Sequence, residues 1–132
     1  MAKIEKSEDD WKSLLTEEQY RITRKHGTER AGSSALNAEK RSGQYFCAAC
    51  GNLLYRSDTK YESGSGWPSF YAPAGADAVS EHEDRKLFMK RTEVRCKDCD
   101  SHLGHVFDDG PAPTGLRYCM NGVALRFEAE DA

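Results

Sequence analysis

Apolar positions are thin in the first forty residues and dense from residue 44 onward. The opening segment SEDDWKSLL begins on a capping serine followed by acids, which suits a helix N-terminus. It predicts a short helix over 7–15 with Trp11, Leu14 and Leu15 on its inner face. Thr16 with Gln19 three residues on is a second capping signal, and predicts a helix over 17–26 that ends at Gly27 with Arg24, Lys25 and His26 in its last turn. Residues 27–43, rich in Gly, Ser, Ala and charge, read as a wrapping or connecting segment. Beyond them the pattern is that of strands: 45–47 and 53–55 flank a tight Cys-Ala-Ala-Cys-Gly knuckle, and 87–95 runs into a second knuckle at Cys96-Lys97-Asp98-Cys99. Residues 61–70 carry three Gly or Pro breakers and are expected to be irregular, with a Pro/Gly/Ala loop following to about Val79. Residues 102–106 read as extended, 108–111 as a turn, and 116–127 as two strands joined by an Asn121-Gly122 hairpin turn. The expected fold is mainly β, two antiparallel sheets with short N-terminal helices and a pair of zinc knuckles.

The chain of 132 residues fits one domain, with a helical arm over 1–43 and a β core over 44–127. A hydrophobic fraction of 38% and a charged fraction of 31% describe a soluble globular protein. No apolar run approaches the roughly 20 residues of a membrane span. A net charge of -3 argues against nucleic-acid binding as the main role. The start Met1-Ala2-Lys3-Ile4-Glu5-Lys6 has no apolar signal core, so the expected compartment is the cytoplasm and the expected state a monomer with reduced thiols.

The cysteines change the picture most. There are five, an odd number, so they cannot all pair within one chain. Cys47 with Cys50 and Cys96 with Cys99 form two C-x-x-C units, each placing two thiolates on one turn, and two such turns can clamp one tetrahedral zinc ion. The 45 residues between the pairs mean that the ion would tie distant strands together. Four thiolates leave no open position, so Zn2+ here would be structural. The rival readings are a redox C-x-x-C and reduced core cysteines.

Cys119 stands alone and has two readings, a small buried hydrophobe or a nucleophile. Arg117 and Asn121 share its face of the strand, a cation that favours thiolate and an amide that can hydrogen-bond. His102 and His105 are core or surface histidines, spare zinc ligands, or proton donors near neutral pH. Trp67, held between Gly66 and Pro68, either caps the core or forms an aromatic wall for an apolar or sulfur-bearing group.

Taken in order, CAACGNLLY at 47–55, YESGSGWPSF at 61–70, RCKDCDSHLGHVFDDGPAPTGLRYCMN at 95–121 and ALRF at 124–127 closely resemble the peptide methionine sulfoxide reductases of the B type. The resemblance spans residues 11–127. It implies reduction of the R epimer of methionine sulfoxide, mainly in oxidised proteins. It further implies Cys119 as the nucleophile, Trp67 as the wall for the substrate methyl, His102, His105 and Asn121 around the sulfoxide oxygen, Arg117 and Asp109 in support, and Cys47, Cys50, Cys96 and Cys99 as the zinc set. The chain departs from the pattern at Ser65, where many members carry a resolving cysteine. A serine forms no disulfide, so the expectation is a one-cysteine enzyme recycled by an external thiol, either glutathione with glutaredoxin or thioredoxin. The competing functions are a non-enzymatic structural-zinc module that binds a protein, a zinc-ribbon nucleic-acid binder and a thiol peroxidase. The first of these predicts an inert Cys119.

Overall fold

The computed structural model describes residues 4–86 and 89–130. Ser7 accepts a hydrogen bond from Asp10 N–H and caps α1 (Glu8–Leu14). Trp11 and Leu15, four residues apart, are buried; Leu14 is 60% exposed, so it leaves the expected inner face. The Thr16–Gln19 capping box forms as expected and opens α2 (Glu17–Thr23). This helix ends three residues early because His26, not Gly27, takes the left-handed conformation (φ 57°). That turn aims the His26 ring at Glu93, Nδ1 to Oε2 2.7 Å.

Nine strands follow among the described residues: β1 (Gly43–Cys47), β2 (Leu53–Arg56), β3 (Lys60–Tyr61), β4 (Ser69–Phe70), β5 (Val79–Lys86), β6 (Met89–Cys96), β7 (His102–Phe107), β8 (Arg117–Met120) and β9 (Leu125–Ala129). They make two antiparallel sheets, ordered β2-β1-β9 and β3-β4-β8-β7-β6-β5. Tyr45 of β1 and Tyr55 of β2 reach across to Phe70 of β4, the Tyr55 ring stacked on it with centroids 4.4 Å apart. Around this contact Leu54, Leu103, Met120 and Leu125 close the core. The α2 helix lies on β7, with Ile22 fully buried.

Three further expectations change. The segment over 61–70, expected to be irregular, is strand at both ends, Tyr61 in β3 and Ser69–Phe70 in β4, because Ser69 and Phe70 pair with Cys119 and Tyr118 of β8. The expected strand over 87–95 is the second arm of a β5–β6 hairpin; Leu87 and Phe88 lie outside the described residues. The Asn121-Gly122 pair is not a hairpin turn, because β8 joins the six-stranded sheet while β9 joins β1. Asn121 instead leads into a 3-10 turn over Gly122–Ala124. Its side-chain amide is tied to two other segments, accepting from Glu29 N–H and donating to Leu103 C=O.

Candidate active site and metal centre

Each knuckle begins at the end of a strand, β1 or β6, and turns back where the fourth residue after the first cysteine has positive φ: Gly51 (83°) and Asp100 (65°). Glycine enters that conformation freely, and Asp is one of the few other residues to tolerate it. Neither knuckle opens a helix, which removes the thioredoxin-like reading of the C-x-x-C units. The two turns meet, with Cys47 Sγ 3.7 Å from Cys99 Sγ and Cys50 Sγ 3.6 Å from Cys96 Sγ. All four sulfurs lie within 4.8 Å of one another. A tetrahedral zinc with Zn–S of about 2.3 Å would set its sulfurs roughly 3.8 Å apart, so the donor set and its spacing fit such an ion. Asn52 Nδ2–H points at Cys96 Sγ (3.7 Å), and Arg24 donates to Cys99 C=O at 2.8 Å, which braces the site from α2.

Cys119 lies on β8, in register with His105 of β7 on one side and Ser69 of β4 on the other. Gly104 sits where β7 passes closest; a Cβ there would meet Cys119 O at 2.1 Å. The thiol opens into a cleft of about 460 Å3 whose walls include Ser65, Trp67, His105, Arg117 and Asn121. Burial pushes the Cys119 thiol above its usual pKa, while the Ser65 hydroxyl and the Arg117 guanidinium pull it back. Ser65 Oγ is 3.7 Å from Cys119 Sγ, and Ser63 and Ser69 extend the hydroxyl network behind it.

Arg117 is held by Asp109 through paired hydrogen bonds (2.9 and 3.2 Å) and lies over the Phe107 ring. The Arg117 hydrogen bond keeps the Asp109 carboxyl below its ordinary range. Asp109 itself is exposed and reaches the thiol only through Arg117. The two histidines part company. His105 lines the cleft and meets Asp84 Oδ2 at 2.9 Å. Burial lowers its pKa, against the pull of Asp84. His102 is not among the cleft-lining side chains. It is 2% exposed, with its ring centroid 5.5 Å from that of His105 and its Nδ1 2.7 Å from Glu93 Oε2. His26, Glu93 and His102 together have the donors of a second metal site. Their 2.7 Å contacts, however, are the lengths of charge-assisted hydrogen bonds.

The segment read as wrapping does wrap. Glu29, 3% exposed, joins the site's parts through its backbone: its N–H donates to Asn121 Oδ1 (2.8 Å) and its C=O accepts from Trp67 Nε1 (2.9 Å). Its Oε1 takes the Val123 N–H at 2.9 Å. A few residues on, Gly32 N–H donates to Gly66 C=O next to Trp67. Trp67 is therefore aimed by a hydrogen bond as well as by its Gly-Pro setting. Sequence reasoning missed Glu29, Asp84, Glu93 and His26. Their roles come from pairings across 9 to 94 positions, such as Glu93 with His102 and Glu29 with Val123, and no local motif marks them.

The comparisons with known proteins agree with this geometry. The family model described as "SelR domain" matches residues 15–129. A protein of Methanosarcina mazei named peptide methionine sulfoxide reductase MsrB is 60% identical, covering 98% of this chain and 92% of its own length. Proteins of the same name from Leptospira interrogans and Pseudomonas aeruginosa are each 56% identical over 96% of the chain, covering 97% and 96% of their own lengths. With a cleft-lining cysteine, an aimed tryptophan and a four-thiol centre in one fold, and these matches over nearly its whole length, the chain belongs to the SelR domain family, alongside relatives named peptide methionine sulfoxide reductase MsrB.

Proposed function

We propose that this protein is an oxidoreductase that reduces methionine sulfoxide in oxidised proteins to methionine, acting on the R epimer with Cys119 as nucleophile. The observation that carries this is the cleft itself. It gathers a thiol, an imidazole, a guanidinium and an aromatic wall around one opening.

A sulfoxide sulfur is electrophilic, but its oxygen leaves poorly unless it is protonated or strongly hydrogen-bonded. Cys119 reacts as the thiolate, favoured by Arg117 and the Ser65 hydroxyl. As the substrate S–O bond breaks, the oxygen passes to Cys119 Sγ with one proton from the histidine pair. The substrate sulfur gains two electrons and Cys119 loses two, giving methionine and a sulfenic acid. Counted from the thiol, sulfoxide plus thiol becomes thioether plus sulfenic acid, with no further reagent. Trp67 reads the methyl group while the polar side reads the oxygen. Fixing both substituents and the direction of attack selects one epimer at sulfur.

Ser65, with its Oγ 3.7 Å from Cys119 Sγ, cannot resolve the sulfenic acid. An external thiol, glutathione with glutaredoxin or thioredoxin, attacks it instead, and water leaves. Cys47, Cys50, Cys96 and Cys99 would hold zinc as a tie between the two knuckles, with no part in this step because four thiolates leave no open position. No helix among the described residues is long and apolar enough to cross a membrane. The compartment we propose is the cytoplasm, where thiol reductants are at hand, and the state we propose is a monomer. The test is turnover of a blocked methionine-R-sulfoxide with dithiothreitol. Wild-type protein forms methionine and Cys119→Ser, folded and with its metal content intact, forms none; equal turnover by the two would refute the proposal.

A further inference from the structure

His26 and His102 each place Nδ1 2.7 Å from the same atom, Glu93 Oε2. An ionised carboxylate only accepts hydrogen bonds, so both rings donate their Nδ1–H to it. Glu93 is 4% exposed and its other oxygen takes Arg95 Nε–H at 3.0 Å. Burial alone would raise its pKa, but the hydrogen bonds from His102 and Arg95 outweigh burial and hold the carboxyl far below its ordinary range. With Nδ1–H committed, the exchangeable position of His102 is Nε2. That atom is buried and has no hydrogen-bond partner within the protein. A buried polar atom left in this way costs roughly 1–3 kcal/mol, an arrangement that calls for a partner supplied from outside the fold.

We propose that Glu93 is a positioning residue for the proton transfer: it fixes His102 with Nε2 as its working nitrogen, and His26 moderates that hold by sharing the same oxygen. The inference rests on the reductase reading above. In the step, the sulfoxide oxygen takes one proton from the histidine pair, delivered by His105 at the cleft wall with His102 packed against it, while its S–O bond breaks and the oxygen passes to Cys119 Sγ. His102 keeps its Nδ1–H on Glu93 throughout, and Glu93 neither gains nor loses a proton. This is the arrangement in which a carboxylate orients an imidazole and stabilises its charged form. The groups facing Glu93 are Arg95 on its own strand, with Asp100 beyond it, His82 across on β5, His105 across on β7 with its own Asp84, and His26 from the segment after α2. His26 is half-exposed, its ring 5.3 Å from that of His102, so it can be removed without opening the core.

The test is single-turnover methionine formation from a blocked methionine-R-sulfoxide between about pH 5 and 9, across the histidine range. Glu93→Gln is expected to lower the rate about 100-fold. It should also move the limb on which rate falls with rising pH to lower pH, because a neutral amide stabilises imidazolium less. Glu93→Asp should recover part of both. His26→Ala should move the same limb the other way, since the whole carboxylate then serves His102. A merely structural role has no reason to give shifts of opposite sign. The inference is overturned if Glu93→Gln, with its Cys119 thiol count and melting transition intact, gives a profile that superposes on the wild type. It is equally overturned if His26→Ala shifts the limb downward, a result that stands even should the Glu93 variants fail to fold. Absence of methionine from the wild type would instead remove the reductase reading beneath it.

Discussion

Replacing Ser65 by cysteine should convert the protein from one redox-active thiol to two. Ser65 Oγ already lies 3.7 Å from Cys119 Sγ, at the end of the irregular segment before Trp67. A disulfide needs its sulfurs about 2.05 Å apart and its Cβ atoms about 3.8 Å apart, so a modest closing movement of this loop suffices. The bond would close a loop of 55 residues, from 65 to 119 inclusive. For a loop of that size the chain-entropy relation gives about 4 kcal/mol of stabilisation at 25 °C, less any strain. The assay is to mix reduced Ser65→Cys with one equivalent of blocked methionine-R-sulfoxide, without reductant, and to weigh the intact protein. The variant should lose two hydrogens, whereas the wild type should gain one oxygen. In denaturant the oxidised variant should outlast its reduced form by about 2–4 kcal/mol, and thioredoxin should then recycle it as an ordinary disulfide. A variant that forms methionine yet keeps the added oxygen, with no gain in stability, would refute the reasoning that Ser65 occupies the place of a resolving thiol.

Three further outcomes are expected. Gly104→Ala drives a Cβ to 2.1 Å from the Cys119 carbonyl, a backbone atom that cannot step aside. It should cost about 1–3 kcal/mol in a denaturant melt and lower the reduction rate with it, and a neutral melt would contradict the close approach of β7 and β8. Because burial raises the Cys119 pKa, the thiolate fraction is small at neutrality and grows with pH. Its alkylation by iodoacetamide should therefore still be rising past about pH 8.5, the usual thiol value, and a plateau near neutrality would count against this. Glu29→Ala leaves the Val123 N–H without its partner and loosens the segment that aims Trp67 and Asn121. It should cost about 1–3 kcal/mol and raise KM more than it lowers kcat, read from steady-state turnover beside a melt.

The features legible in the sequence are those whose signal is local. The Thr16–Gln19 box and the two knuckles each announce themselves within a few residues and stand where the pattern put them, and the Trp67 segment is irregular between its strand ends at Tyr61 and Ser69. Placing Cys119 with Arg117 and Asn121 needed only the alternation of a strand. The features that stayed hidden depend on distant pairing. The β5 strand, VSEHEDRK, is charged and carries almost no apolar alternation, so nothing local marks it as half of a hairpin. Without that hairpin, Asp84 and Glu93 cannot be matched to His105 and His102. The Asn121-Gly122 pair misled because turn chemistry is necessary but not sufficient. Here the chain crosses between sheets, and the Asn121 amide is spent on Glu29 and Leu103. The early end of α2 has the same cause, since His26 leaves the helix to reach Glu93.

The most direct test of the account is a single turnover, without reductant, on the separate R and S epimers of a blocked methionine sulfoxide. Methionine is counted per chain and the modified residue located by mass. The account predicts about one methionine from the R epimer and none from the S, with one added oxygen (or its dimedone adduct) on Cys119. No methionine from either epimer, by folded protein with a free Cys119 thiol, would contradict it and leave a binding module built on the four-cysteine cluster in its place.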